Sequence, residues 1–229
     1  MRACCSFMVL FAALTLAACG KPKPAASNAA PSRTAPETND PEVSAPVPAA
    51  PATPEIKRID PPSLPLSEYL PPLDGGRIEI GSPVDWKPMP RDSKYVVRFH
   101  NESRNSLPRI DVVVEENSLG GFDDVTEANV GEFTAAVAKD LEASKTVILE
   151  PPIPMVIGSV PCARYVSNLK LKIGEGTILV ERQTLALLHG GRFYKINLLV
   201  MPNKLNESRD AAYAICAGLR FPAEESVGE

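Results

Sequence analysis

Hydrophobic and polar residues follow regular patterns only between Leu73 and Pro222. Period-two alternation and short apolar runs bounded by turn residues predict strands at 77–80, 95–101, 109–115, 147–149, 162–173, 177–188 and 192–201. The last three runs are separated only by short glycine-containing turns at 174–176 and 189–191. Because turns of this length join antiparallel neighbours, the three strands are predicted to form a meander.

Two segments have helical spacing instead. Phe133, Val137 and Leu141 recur every four residues, which predicts a helix from an N-cap at Thr126 to about Ala143. A second helix is predicted at 206–216, ending near a glycine. The resulting order, β-β-β-α-β-β-β-β-α, predicts an α+β fold in which an antiparallel sheet of about six or seven strands is packed by two helices.

The first nineteen residues have a different pattern. A single early arginine precedes a mostly apolar run of ten residues at 7–16, which is too short to span a bilayer and typical of a signal peptide. It leads into Leu16-Ala17-Ala18-Cys19, which resembles the lipobox of bacterial lipoproteins. The sequence therefore predicts a lipoprotein signal peptide at 1–18 and lipid attachment, a diacylglycerol and further acyl chains such as palmitate, at Cys19.

Proline dominates the next segment. The chain has 24 prolines, and most of them lie between positions 21 and 72 among alanine, serine and threonine. Such a tract cannot bury enough apolar surface to offset its ordering entropy, so 19–72 is predicted to be a disordered Pro/Ala-rich tether. It is either a spacer that carries the domain through the envelope or a neutral linker. Residues 73–222 are then a single domain, and 223–229 a flexible tail.

Charge and composition exclude several functions. The formal net charge is −4 and the folded part is nearly balanced, so no basic field favours nucleic acid. The sequence has two histidines and lacks the spaced His/Cys pairs of metal sites, a nucleophile elbow and a phosphate-binding loop. We expect no enzyme activity, no catalytic residues, no metal and no cofactor.

Few residues are candidates for a site. Trp86 is either a partner contact or, as a lone tryptophan, part of the core. Cys162 and Cys216 could form a disulfide in an oxidising compartment, although strand parity places Cys162 beside polar residues, which favours two separately buried thiols. Five basic residues within about 20 positions could meet an anionic surface, but acidic neighbours favour a mixed solvated surface. They are Arg91, Lys94, Arg98, Arg104 and Arg109.

Several short stretches resemble the Mog1/PsbP-like family, which includes bacterial envelope lipoproteins of the DcrB type. They are Ser82-Pro-Val-Asp-Trp86 after the first short strand, Ile157-Gly158 before the meander, Gly191-Arg-Phe-Tyr194, and Leu219-Arg-Phe221 after the last helix. The resemblance covers most of 73–221. It implies a domain that binds proteins or assists assembly and has no shared catalytic site.

Together these observations predict a lipid-anchored, non-enzymatic envelope protein that presents a protein-interaction domain on a long tether. It would be an assembly or accessory factor of an envelope complex, with an unknown protein partner there. The alternative is a small-ligand or glycan-binding envelope module. Gly20, rather than an acidic residue, follows Cys19, which favours the periplasmic face of the outer membrane over the inner membrane.

Overall fold

The computed structural model describes residues 55–60, 64–89, 91–101, 106–173 and 175–222, which form an α+β domain. Its elements, in chain order, are β1 (Lys57–Ile59), β2 (Leu66–Tyr69), a 3₁₀ helix (Asp74–Gly76), β3 (Gly81–Pro83), β4 (Lys87–Met89), β5 (Val97–His100), β6 (Arg109–Glu116), α1 (Val130–Ala143), β7 (Ile148–Ile157), β8 (Val160–Ile173), β9 (Gly176–His189), β10 (Arg192–Val200) and α2 (Leu205–Ala217).

The predicted α+β class and the two helices are confirmed, but the sheet differs from the prediction. Eight strands form one sheet in the order β1-β7-β8-β9-β10-β6-β5-β4, and β2 pairs with β3 in a second sheet. The sheet is mixed rather than antiparallel, because β1 runs parallel to β7. The prediction of six or seven strands was too low, since the additional strands have only three or four residues and carry no clear alternation.

The predicted meander is confirmed. Strands β8, β9 and β10 pair antiparallel in sequence order, with Ala186 opposite both Ala163 and Lys195. Gly190 and Gly191 have φ of 54° and 69°, values that side chains disfavour, and they close the β9–β10 turn. Strand β6 pairs with the other side of β10, so the most apolar strands lie at the centre of the sheet.

Helix α1 begins later than its sequence suggested. Asn129, not Thr126, occupies the N-cap position, and the helix starts at Val130. The Asn129 side chain instead accepts a hydrogen bond of 2.7 Å from the Thr126 amide, which keeps 126–129 in a turn. The predicted stripe of Phe133, Val137 and Leu141 is buried, as expected.

Two cores lie on opposite faces of the sheet. Helix α2 packs on one face, over a large cluster that includes Phe99, Ile196 and Leu198. Helix α1 packs on the other face, where a smaller cluster includes Phe133 and Phe193. The smaller cluster occupies only one end of its face, and this difference leaves room for the groove described below.

Two described strands precede Leu73, the predicted domain boundary. Strand β1 pairs with residues 155–157, and the Ile59 carbonyl accepts a hydrogen bond of 3.0 Å from Gly158. Strand β2 pairs with β3. The composition concealed these pairings, because β1 depends on a partner far along the chain and β2 has only four residues.

Strand β7 continues through three prolines that were predicted to end it. It spans Ile148–Ile157, whereas the sequence suggested 147–149. Its outer side pairs with β1 only over 155–157, so Pro151, Pro152 and Pro154 lie where that neighbour is absent. Because an unpaired edge tolerates a residue without an N–H, the prolines do not interrupt the strand.

The predicted first strand at 77–80 is only two isolated bridges, Leu73 with Ile78 and Glu79 with Arg220. The predicted signal peptide, Cys19, most of the predicted tether and the predicted tail at 223–229 lie outside the described residues. No helix in the described ranges is long and apolar enough to cross a membrane.

Candidate functional site

Part of the α1 face of the sheet is not covered by any helix of the described residues. Helix α1 packs over the end of this face nearest the β9–β10 turn, where its neighbours are Ala163, Tyr165, Ala186, Leu188 and Phe193. Toward the other end of the same strands lies an open groove. We call it the cationic groove, and its residues follow from the pairing register of β5, β6, β10, β9 and β8.

The floor of the cationic groove is a row of polar residues across the strands. The register aligns Thr184 of β9, Asn197 of β10 and Asp111 of β6. The Thr184 hydroxyl donates a hydrogen bond of 2.8 Å to Asn197 Oδ1. All three residues are buried, so the sequence places hydrogen-bonding groups where a closed core would have apolar ones.

The next row along the strands carries two arginines. Arg182 of β9 and Arg109 of β6 flank Leu199 of β10 on the same face. Arg182 Nε donates a hydrogen bond of 3.2 Å to the hydroxyl of Ser167 on β8. These guanidinium groups therefore border the polar floor from two different strands.

Asp111 is shared by two arginines. Arg98 donates from Nε and Nη2 to the two carboxylate oxygens, at 2.5 and 2.9 Å. Arg109 Nε lies 3.5 Å from Asp111 Oδ2 without a hydrogen bond. Two positive charges therefore share one negative charge. All three side chains are at most 14% exposed.

The pKa values of the two arginines shift in opposite directions. Burial opposes the charge of Arg98, but the hydrogen bonds and charge of Asp111 outweigh it and raise the pKa of Arg98. Burial lowers the pKa of Arg109, and the charge of Arg98 lowers it further, against the attraction of Asp111. Arg109 is therefore the incompletely neutralised charge of this group.

The groove consists of two adjoining cavities of about 680 and 350 Å³. Six basic and two acidic residues line the larger cavity, namely Lys94, Arg98, Arg109, Lys170, Lys172 and Arg182 with Asp92 and Asp111. Strand alternation in β8 places the side chains of Lys170 and Lys172 on the other face of the sheet, so Lys94, Arg98, Arg109 and Arg182 are the basic side chains of the groove. Lys94, Val113, Arg182 and Asn197 line both cavities. In the smaller one Lys195 lies 2.7 Å from Glu115, so the positive excess is concentrated in the larger cavity.

The basic run noted in the sequence is partly brought together. Lys94, Arg98 and Arg109 line the larger cavity, and Arg91 lines a neighbouring one, whereas Arg104 lies outside the described residues. Sequence reasoning missed Arg182, which is about 70 positions away from the run. Arg182 lies two residues before Thr184 in β9, so strand alternation places both side chains on one face of the sheet. This spacing was visible in the sequence.

Trp86, the predicted possible partner contact, is partly buried and packs against the α2-side core. It follows β3, and its backbone carbonyl accepts a hydrogen bond of 2.7 Å from the Ser82 hydroxyl. Trp86 does not line the cationic groove. Both interpretations of Trp86, a partner contact or a part of the core, stay predictions.

Cys162 and Cys216 are free thiols, and both are fully buried. Strand parity was misleading here, because both cysteines belong to one core cluster between β8 and α2. A hydrogen bond with Cys162, together with burial, raises the pKa of Cys216 well above its ordinary value. The two thiols are therefore adjacent.

The two histidines lie in different surroundings. His100 is only 8% exposed at the end of β5. His189 is the last residue of β9, and its Nδ1 is 2.8 Å from Asp124 Oδ1, an acidic neighbour that the sequence did not reveal. Among the described residues no group of His, Cys, Asp or Glu side chains is arranged to hold a metal ion.

A second polar cluster lies on the opposite face, under α2. Arg164 is buried, and its Nη1 donates a hydrogen bond of 2.5 Å to Glu150 Oε2. Its Nε donates to the Gln183 side chain at 3.2 Å. The Arg164 hydrogen bond lowers the pKa of Glu150, so this pair remains charged down to acidic pH.

The fold and the groove define an α+β domain with a cationic groove on one sheet face. No protein-family model matches the sequence, and a comparison with curated proteins finds no match. Among solved structures, a protein of Bacteroides thetaiotaomicron VPI-5482 is similar at 14% identity and a TM-score of 0.43, over 66% of this chain. The match covers 47% of that protein, so the chain spans about half of its length.

Two further structures are similar. LpqN, described as involved in cell envelope biogenesis of Mycobacterium tuberculosis, matches at 15% identity and a TM-score of 0.41, over 63% of this chain and 83% of LpqN. Cyanobacterial PsbP (CyanoP) from Synechocystis sp. PCC 6803 matches at 11% identity and a TM-score of 0.39, over 65% and 89%. Likenesses this low decide neither family nor function, and the resemblance to Mog1/PsbP-like domains stays a prediction.

Proposed function

We propose that this protein is a lipid-anchored, non-enzymatic component of the cell envelope whose domain binds a protein partner through the cationic groove. It would act as an accessory or assembly factor of an envelope complex. The anchor and tether rest on the lipobox at Cys19 and the proline-rich segment that follows it. The mode of binding rests on the groove.

The observation that carries this proposal is the uncovered part of the α1 face. A sheet face in a small domain is normally closed by a packed layer. Here the floor of Thr184, Asn197 and Asp111 is polar, and four basic side chains, those of Lys94, Arg98, Arg109 and Arg182, border the cavity above it. Apolar side chains do not pack onto such a polar surface, and its positive charge attracts a negatively charged partner.

The second candidate function, a small-ligand or glycan-binding module, is favoured by one feature. The larger cavity has about 680 Å³, which is within the range of ligand pockets. Pockets for small molecules are mostly apolar, however, and this one is predominantly charged. The balance therefore favours a partner with an extended charged surface.

Crosslinking in intact cells tests the proposal. The wild-type chain is compared with Arg182→Gln, which removes a groove charge, and with Arg58→Gln, which removes the same charge from a 63% exposed side chain on β1. We expect a single protein in stoichiometric amount with wild type and Arg58→Gln, and a reduced yield with Arg182→Gln. An equal yield from all three, or a bound metabolite with no crosslinked protein, would contradict it.

Cell fractionation tests the anchor separately. Cys19→Ser removes the only sulfur in the lipobox, so the variant should leave the membrane fraction and appear in the soluble fraction. Membrane retention of the variant would show that the lipobox is not the anchor. Comparing inner- and outer-membrane fractions of the wild type then identifies the membrane.

A further inference from the structure

We infer that the cationic groove recognises an acidic peptide segment of the partner, with Arg182 and Arg109 binding carboxylates that flank an apolar side chain. This inference rests on the proposed function and names the chemistry of the same site. It follows from three observations. They are the spacing of the two arginines, the aliphatic residues among them, and the pairing of Asp111 with Arg98, which shows how the groove binds a carboxylate.

The spacing is set by the sheet. Arg182 is on β9 and Arg109 on β6, in one cross-strand row with Leu199 of β10 between them. Strands β9 and β6 lie on either side of β10, about 10 Å apart, so the two arginine side chains leave the sheet at separate points. A single small oxyanion most easily contacts one of the two guanidinium groups, whereas a peptide segment with two carboxylates can contact both.

Aliphatic side chains lie among the charges. Val113, Leu169 and Leu171 line the larger cavity beside the basic residues, and all three are partly buried. A phosphate group has no apolar atoms and would leave these side chains without partners. A peptide with apolar residues between its acidic ones contacts both kinds of side chain, and this mixture favours a peptide over a phosphate.

Asp111 shows how the groove binds a carboxylate. Arg98 holds both of its oxygens in the side-by-side geometry typical of a guanidinium–carboxylate pair. Arg109 borders the same carboxylate with a buried Nε that makes no hydrogen bond within the described chain. A second carboxylate, from the partner, supplies the negative charge that neutralises Arg109.

The peptide binds through side chains and not by adding a strand. Strands β9, β10 and β6 are interior strands of the eight-stranded sheet, paired on both sides. Their backbone groups are therefore already hydrogen-bonded to neighbouring strands. Recognition depends on the charges above the sheet, which makes it sensitive to single substitutions and to ionic strength.

Titration of the soluble chain, lacking only the segment through Cys19, tests the inference with a labelled oligo-glutamate and an oligo-glutamine of equal length. We expect saturable one-to-one binding of oligo-glutamate, weakening with salt, and none of oligo-glutamine. Arg182→Gln should weaken binding about fivefold or more, whereas Arg58→Gln should change it less than about twofold. Equal urea midpoints of the two variants exclude unfolding as the cause.

Lys94→Gln provides a second groove variant, since Lys94 is exposed and lines both cavities. The inference is overturned if oligo-glutamate does not saturate, or binds Arg182→Gln and Lys94→Gln as tightly as wild type. It is also overturned if pyrophosphate or phosphatidylglycerol vesicles bind more tightly than oligo-glutamate with the same dependence on the variants.

The two proposals fail separately. A crosslinked partner lost in Arg182→Gln, without oligo-glutamate binding, keeps the protein-binding function and rejects the acidic peptide. Oligo-glutamate binding that depends on Arg182, without any partner in cells, keeps the peptide chemistry and rejects the proposed function.

Discussion

The Tyr69 hydroxyl donates a hydrogen bond of 2.8 Å to the carbonyl of Gly218, 149 residues further along the chain. Tyr69 ends β2, and Gly218 caps the end of α2. The guanidinium of Arg220 lies 3.7 Å from the centre of the same ring. A Cβ at Gly218 would lie 2.3 Å from Leu66 Cδ1, so the small residue allows β2 to approach the helix.

Replacing Tyr69 with phenylalanine tests the hydrogen bond alone. The ring and its contact with Arg220 remain, while the Gly218 carbonyl loses its donor, so the free energy of unfolding should fall by about 1 kcal/mol. Urea unfolding measures this change. Tyr165→Phe is the matched control because no hydrogen bond of its hydroxyl is found in the described chain, and it should leave stability nearly unchanged.

Truncation tests where the domain begins. A chain starting at Leu73 lacks β1 and β2, with their pairing to β7 and β3, whereas a chain starting at Glu55 keeps both. We expect the shorter chain to be less stable by about 2 kcal/mol or more in urea unfolding. Equal midpoints of the two chains would place the boundary at Leu73, as the composition alone suggests.

Glu150→Gln tests the polar cluster under α2. The variant leaves the buried Arg164 charge without its carboxylate, but the Glu150 side chain is 46% exposed, so we expect a loss of only about 1–2 kcal/mol at pH 7. Because folding lowers the pKa of Glu150, its stabilisation is present above the unfolded-state pKa of about 4.3 and is lost as pH falls through the lower, folded value.

The free energy difference between wild type and Glu150→Gln should therefore shrink toward zero below about pH 4. Chemical unfolding at a series of pH values measures it. Glu127→Gln is the matched control, since Glu127 also pairs with an arginine, Arg58, but at the surface. A constant difference at all pH values would mean that packing, not charge, accounts for the effect.

The cysteine pair gives a thiol prediction. Contact with Cys162 and burial raise the pKa of Cys216, so neither thiol should react with a thiol reagent at pH 8 in the folded chain. In a soluble chain that starts after Cys19, unfolding without reductant should expose two thiols. Finding none would show that Cys162 and Cys216 are bridged in the protein as isolated.

Local patterns predicted the parts of this fold that depend on neighbours in sequence. The spacing of Phe133, Val137 and Leu141 identified α1, and the glycine turns identified the meander. Strand β1 could not be predicted in this way, because Lys57 and Arg58 are polar and the strand exists only through pairing with residues a hundred positions away.

Burial of charge caused the main error in reading the site. Arg164 lies two residues after Cys162, so its charge predicted a polar strand face for both residues and a cysteine buried separately from Cys216. Arg164 is instead buried, with Glu150 and Gln183 as partners, so its parity marks the core. The groove was missed for a different reason: Arg109 joins the row of Arg182 only because β6 pairs with β10, a strand far along the chain.

Strand β1 has a mechanical consequence. It is the described strand nearest the N-terminus, and it holds the sheet edge through three residues and an exposed ion pair between Arg58 and Glu127. A pull on the N-terminal side would load this short ladder before any central strand. Peeling it away would release about 20 Å of additional reach, at ~3.3 Å per residue for 55–60, while leaving the groove intact.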